Sequence, residues 1–492
     1  MPSPPGRRRF MGTMSLAGLG SLAAHPAPAH VLSATAQTQG EGAEARTGVT
    51  RALARYVVTA RYADVPPAVR KEAQRTLLNW MGCAVGGSRH ETLDAAIGAL
   101  APFSGPPQAS VLGRRERMDV LHASLMNGIS SHVFDFDDTH LKTVIHPAGP
   151  VVSGLLALSE FRPMTGADFL HALMLGVEVE CRIGNAVYPA HYDRGWHITG
   201  TAGVFGAAAA CGRALGLTEQ QMVWALGLAA TQPVGLREMF GSMTKSFHPG
   251  RAAQNGLTAA LLAARNFTST EVGLEGKSGW ANVLSTTRNY AEITGHLGQR
   301  YEIALNTYKP FACGIVIHPT IDACIQLRTQ HTIVAADIAR IDLSVHPLVL
   351  ELTGKKTPQT GLESKFSVYF AAAVAIVRGS AGMRDFSDEN AKDPGIVALR
   401  DRVVATIDPA VKEDQVRARI TLKDGRVVSQ FVEHVVGSLE RPMSDAGLEA
   451  KALDLMNGVL PDAQARALLD LCWNVESLPG AAALATAAVP AA

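Results

Sequence analysis

Two short stretches hold most of the groups in this chain that could do chemistry. Asp135-Phe136-Asp137-Asp138-Thr139-His140, followed by His146-Pro147, and Gly195-Trp196-His197-Ile198-Thr199-Gly200 set three acids, three histidines and two hydroxyls in apolar, alanine-rich surroundings. Titratable groups in such surroundings are costly unless function retains them, so their number here points to a site. Two further clusters join them: residues 242–250, with Lys245 and His248, and residues 308–314, with Lys309, followed by His318-Pro319. Lysines, histidines, acids and a hydroxyl suit a small polycarboxylate. The lysines would hold its carboxylates as charged donors, while histidine takes or returns a proton near neutral pH. A proton α to a carboxylate is hard to remove, because the carbanion adds negative charge beside an existing anion. Preorganised Lys and His⁺ donors would stabilise that charge without a cofactor.

Helices must carry most of these residues. Apolar positions recur at helical spacing from about residue 49 to 306, as in 69–80, 121–134 and 166–178. Thr218-Glu219-Gln220-Gln221 reads as a helix start. From about residue 309 the texture changes: 337–345 and 416–422 alternate apolar and polar as strands do, and Asp424-Gly425 makes a hairpin before 426–432. Residues 366–376 read as a helix within that part. The expected architecture is mainly α: a large all-helical domain (45–307, completed by 441–478) with an inserted smaller α+β lid domain (308–440). The alanine-rich 479–492 is expected to be a disordered tail.

Ahead of this lies Arg7-Arg8-Arg9-Phe10-Met11, a weakly apolar run, and small-residue cleavage candidates at Ala27-Pro28-Ala29 and Ala34-Thr35-Ala36. That order reads as a signal peptide over 1–36 of the twin-arginine type, which predicts a periplasmic protein. The run is far short of the ~20 residues of a membrane span. The three arginines of 1–36, with no acid among them, leave a formal charge of −2 on the remainder of a chain that totals +1. No nucleic-acid footprint shows in that balance. The six cysteines are scattered without C-x-x-C spacing, as buried thiols would be.

Several motifs are decoys. Gly276-Lys277-Ser278 resembles the end of a phosphate-binding loop, but Glu271 stands where that loop needs glycine. Gly18-Leu19-Gly20 lies in the signal segment. Asp135-Phe136-Asp137-Asp138-Thr139 matches the D-x-D-x-T of haloacid-dehalogenase-type phosphatases, which place the first Asp after a β-strand; here the preceding residues read as helix. Consecutive acids cannot all point at one ion, so no metal is expected.

The four clusters, taken in order, resemble the signature stretches of the MmgE/PrpD family: Phe134-Asp-Phe-Asp-Asp-Thr-His140 with His146-Pro147, Gly195-Trp-His-Ile-Thr-Gly200, Thr244-Lys-Ser-Phe-His-Pro-Gly250, and Lys309-Pro-Phe-Ala-Cys313 with His318-Pro-Thr-Ile-Asp-Ala323. The family includes 2-methylcitrate dehydratase, cis-aconitate decarboxylase and iminodisuccinate epimerase. The resemblance implies cofactor-free catalysis between a helical domain and a lid, a homodimer, and a pocket of Asp135, Thr139, His146, His197, Lys245 and Lys309. Members with a histidine five residues after the second lysine have a catalytic group there. This chain has Gly314, which weakens a decarboxylase assignment and raises the question whether His318 substitutes. The expected activity is a dehydratase for a small di- or tricarboxylate, with an isomerase or epimerase using the same proton chemistry, or an exported non-catalytic carboxylate binder, as the alternatives. His146 and His197 are the acid/base candidates. Lys245 and Lys309 hold carboxylates, and His248 and His318 are further substrate contacts. Asp135 would orient an imidazole or hold Thr139, which shares its face if the helix continues that far.

Overall fold

Helices form in the first part of the chain on apolar stripes, and Asp119, Thr165 and Thr218 supply side-chain caps to three of them. The computed structural model describes residues 48–491. Helix α1 spans Val49–Thr59, and α2, Pro67–Gly87, starts with proline in its first turn, where the missing N–H costs nothing. Helix α3, Val120–His132, is capped by Asp119, whose carboxylate accepts from the Leu121 and His122 backbone N–H groups. Strand β1, Asp138–His140, precedes α4, Ala148–Phe161, and α5, Gly166–Val187. Helix α6, Ile198–Ala214, leads to α7, Glu219–Ala230, which the expected start does open, as a capping box of Thr218 and Gln221. Helix α8, Thr244–Ala264, packs on α3 and α6, and strand β2 follows at Asn306–Tyr308.

The α+β part begins with α9, His318–His331. Strand β3, Ile338–Val345, helix α10, Val368–Arg378, and strands β4, Val403–Ile407, β5, Val416–Leu422, and β6, Val427–Val432, complete it. The sheet order is β4-β3-β5-β6, with β3 and β4 parallel and the other pairs antiparallel. Val416, Ala418, Ile420 and Leu422 point to the core while Arg417 and Arg419 are exposed, the alternation read from sequence. That core takes in Ile341, Leu343 and Phe370, and it runs on into Cys83, Phe136 and Leu455 of the helical part.

The chain closes with α11, Asp445–Met456, α12, Asp462–Trp473, and α13, Ala482–Ala487. Helix α11 packs on α2, so the C-terminal segment does return to the helical part. The expected disordered tail is corrected by α13: Leu484, Ala485 and Ala488 are fully buried, because alanine favours helix and its small side chain suits close packing. All six cysteines are free and buried. Among the described residues no helix is long and apolar enough to cross a membrane. The signal expected over 1–36 lies outside the described residues.

Candidate active site

The site begins where α3 stops. Its last residue is His132; the Asp135 N–H donates to the His132 carbonyl, and Asp135 adopts the left-handed conformation at φ 53°, which aspartate tolerates better than most residues. The chain then turns into β1, which pairs antiparallel with β2, Asp138 opposite Tyr308 and Thr139 opposite Thr307. Asp135 and Thr139 therefore do not share a helix face, contrary to expectation, and the helix before Asp135 removes the phosphatase reading. The ladder carries Lys309, just past β2, to Asp135.

Both lysines close on one oxygen. Asp135 Oδ1 lies 2.6 Å from Lys309 Nζ and 2.7 Å from Lys245 Nζ, with all three side chains buried. Burial alone would raise the Asp135 carboxyl, but Lys245 and Lys309 hold it well below the usual carboxylate range. Burial, reinforced by Lys309, lowers the Lys245 ammonium, with Asp135 opposing. An ammonium has three N–H donors. Lys309 directs two at the Asp135 carbonyl and Oδ1, and Lys245 one at Oδ1, which leaves donors for an incoming anion.

His146 stands beside this ion cluster. Its Nδ1 lies 2.7 Å from the Asp138 carbonyl, 3.3 Å from Thr139 Oγ1 and 3.5 Å from Asp137 Oδ1. A carbonyl can only accept, so Nδ1 carries the hydrogen and Nε2, 4.0 Å from Asp135 Oδ1, keeps a free lone pair. Burial lowers His146 to about 3, with Asp137 opposing and Lys309 assisting, so the ring is neutral at physiological pH. His197 caps the start of α6 and is likewise pushed well down, by burial and then His248. The imidazolium donors expected from sequence are thus neutral rings in the free protein.

How α6 receives His197 is visible in its glycines. Gly195 takes φ 99°, and a Cβ on Gly200 would lie 2.0 Å from the Val234 carbonyl oxygen. The Val234–Gly235 backbone can therefore pass against the helix, and the His197 N–H donates to Gly235 O.

A cavity of about 50 Å³ joins Asp135, Thr139, His146, His197, Lys245 and Lys309, with Tyr192, Phe240, Phe366 and Gly314 among its other walls. A larger cavity of about 590 Å³ shares the walls Val144, Ile315 and Val316 with it. The larger one holds neither paired lysine, so the chemistry belongs to the smaller. Two expected contacts fall outside it. His248 Nδ1 lies 2.8 Å from His197 Nδ1 and supports that ring from behind. His318, the first residue of α9, lines the larger cavity and turns Nε2 toward the Cys313 carbonyl at 3.3 Å. Gly314 lines the smaller cavity and His318 does not, and a Cβ at Gly314 would meet Thr353 Cγ2 at 3.3 Å.

Sequence reasoning passed over His132, Lys365 and Lys451. His132 Nδ1 lies 2.7 Å from Asp137 Oδ2, and burial notwithstanding, His132 and His146 hold Asp137 far below the usual range. Lys451 could have been found: it shares the buried stripe of α11 with Leu448, Ala452 and Leu455. Lys365 sits in a polar turn and gives no such signal.

His132, Asp135, Asp137 and His146 offer ligand atoms within 4.8 Å of one another, as do His132, His146 and His197. That proximity was not expected from consecutive acids; it arises because the chain turns between them. Two ammonium groups already hold Asp135 Oδ1, and their charge would repel a divalent ion, so this donor set favours an anion.

Comparison with known proteins gives the family. Residues 51–293 match the MmgE/PrpD N-terminal domain and residues 311–475 the MmgE/PrpD C-terminal domain. The chain is 26% identical over 472 residues to cis-aconitate decarboxylase of Aspergillus terreus, covering 89% of this chain and 96% of that protein. The human cis-aconitate decarboxylase is 25% identical, covering 89% and 94%. The 2-methylcitrate dehydratase of Cupriavidus necator is 23% identical, covering 75% and 82%. With both domains matched in order, the chain belongs to the MmgE/PrpD family.

Proposed function

We propose that this protein is a lyase for a small di- or tricarboxylate and that its reaction is dehydration begun by α-proton abstraction. The observation that carries this reading is Asp135 Oδ1 held by Lys245 and Lys309, with the unprotonated Nε2 of His146 4.0 Å away. Substrate carboxylates take the remaining lysine N–H donors. His146 Nε2 removes the α-proton, the electron pair forms the double bond, and the hydroxyl departs from the neighbouring carbon. The Lys245 ammonium, made more acidic by burial, protonates it to water. Asp135 stabilises the imidazolium that forms, and proton return from His146 to Lys245 through solvent restores both groups. Thr139, on the wall of the same cavity, holds the departing hydroxyl in this reading.

Relatives named for decarboxylation and for dehydration both support a lyase acting on small carboxylates. Decarboxylation is the second reading, favoured by the greater coverage of the decarboxylase relatives; Gly314, which brings no side-chain acid or base to the wall, favours dehydration. A cavity of about 50 Å³ holds little more than a water, so substrate enters from the larger cavity as the shared wall shifts. Val144 in that wall takes φ 52°, a conformation costing a β-branched residue roughly 1–3 kcal/mol, which lowers the cost of moving it. The test is a carboxylate panel, including 2-methylcitrate, citrate and cis-aconitate, followed by NMR in deuterated water. Water loss supports dehydration, carbon dioxide release supports the second reading, exchange without net change indicates an isomerase, and silence across the panel overturns the lyase.

Export and self-association belong to the same reading. The arginine-led segment supports delivery to the periplasm, and Arg7→Lys with Arg8→Lys is expected to leave folded precursor in the cytoplasm; normal delivery overturns it. The family likeness supports a homodimer, which sedimentation of the protein reads directly.

A further inference from the structure

Three consecutive carbonyls around Asp135 each accept from a different buried lysine. Lys365 Nζ lies 2.5 Å from Phe134 O, Lys309 Nζ 2.9 Å from Asp135 O, and Lys451 Nζ 2.6 Å from Phe136 O. Two of these ammonium groups also reach the segment that carries Lys309. Lys365 donates to Ala312 O at 2.8 Å, and Lys451 to Lys309 O at 2.9 Å and Asn79 Oδ1 at 2.8 Å. Each therefore bridges one carbonyl of the Asp135 turn and one carbonyl of residues 309–312.

Neither ammonium has a carboxylate partner within 4.0 Å among the described residues, although Lys365 is 3% and Lys451 9% exposed. Buried charge without a counter-ion is expensive, and neutral donors would satisfy the same carbonyls at lower cost. Retaining charge here is explained if the site needs it. The Asp135 turn departs from helix into a left-handed residue, so its carbonyls have no helical partners. Moreover, Asp135 and Lys309 come from segments far apart in sequence, whose backbones pair through the short β1–β2 ladder.

We propose that Lys365 and Lys451 are positioning residues for the reaction, clamping the Asp135 turn onto the Lys309 segment so that Asp135 Oδ1 meets both site lysines. They act through Asp135 and Lys309 and do not touch substrate. Burial lowers Lys365 to about 7 and Lys451 to about 8, and an arriving polyanion would favour the charged form of both. The proposal rests on the lyase reading for its kinetic consequence but not for its structural one.

The test compares the full chain with Lys365→Met and Lys451→Met, which keep length and remove charge. Crystal structures are expected to show Asp135 leaving its left-handed turn, with Oδ1 no longer within 3 Å of both Lys245 and Lys309. With whichever panel carboxylate the wild type converts, kcat is expected to fall ~10²-fold while KM moves little, as misplacement of a catalytic group does. Should a Met variant fail to fold, Lys365→Gln and Lys451→Gln, whose amide nitrogen stops one bond short of the lysine nitrogen and so cannot span both carbonyls, carry the same comparison with the same expected direction. An unchanged Asp135 turn with wild-type kcat in the folded variants overturns the proposal. If the wild type converts nothing in the panel, the lyase reading falls and the Asp135 geometry alone decides this one.

Discussion

Asp135 is the residue on which the site turns. Its carboxylate would be a liability if either lysine were absent, since a buried charge that loses a partner typically costs roughly 2–5 kcal/mol. Lys245→Met or Lys309→Met is therefore expected to lower kcat/KM by ~10²-fold or more in steady-state assays. Wild-type kinetics in either variant would remove that lysine from the site. The residue types of this centre were legible because Asp, Lys and His stood out against apolar neighbours. Their roles were not: sequence spacing joined Asp135 to Thr139, while the structure joins Asp135 to Lys245 and Lys309 and gives Thr139 to His146. The turn after His132 and the β1–β2 pairing set Asp135 against Lys309, and three-residue strands leave no periodic trace.

At the level of elements, the site depends on how closely helices approach. Helices α3 and α8 cross at glycines: a Cβ on Gly250 would lie 2.4 Å from the Leu125 carbonyl oxygen, and one on Gly128 2.4 Å from Gly250 Cα. Backbone cannot yield as a side chain can, so Gly250→Ala is expected to push the helices apart at a cost of roughly 1–3 kcal/mol. Because α8 carries Lys245 five residues earlier and α3 leads to Asp135, turnover is expected to fall by ~10²-fold as well. Denaturant midpoints and turnover measured on one preparation check both; a variant as stable and active as wild type would mean that the crossing is looser. The long helices and strands β3, β5 and β6 of the sheet were readable from periodicity, while the parallel strand β4 was not read. The terminal helix α13 was not, since an alanine-rich end gives no apolar stripe to separate a packed helix from a frayed one.

Across the whole molecule, the same burial that shapes the site sets its response to acid. Burial lowers His171, His191 and His248 to about 4 and His146 and His318 to about 3, and it pushes His197 well down. Folded pKa values below the ordinary 6.5 mean that the unfolded chain binds more protons from about 6.5 down to these values. Stability from these groups is therefore lost as pH falls through that window. Asp138 and Glu178, raised to about 7 by burial, and Glu180 and Glu72, also raised by burial, act in the opposite sense but are fewer. The denaturant midpoint is expected to be lower at pH 4.5 than at pH 6.5; a higher midpoint at pH 4.5 would show that the buried carboxyls dominate. The balance of burial among sixteen histidines is a property of the packed chain, and composition alone could not supply it.

The central claim is that His146 Nε2 removes a carbon-bound proton next to a carboxylate held by Lys245 and Lys309. The most direct measurement is turnover of His146→Gln beside wild type, with the panel substrate that wild type converts, each across pH 5 to 9. Glutamine keeps a hydrogen-bonding group but cannot take the proton. The account predicts that kcat falls by roughly 10²–10⁴ with KM little changed throughout this range, in which the His146 ring of the free protein stays neutral. Near-native turnover with an unaltered profile in a folded His146→Gln protein would contradict it.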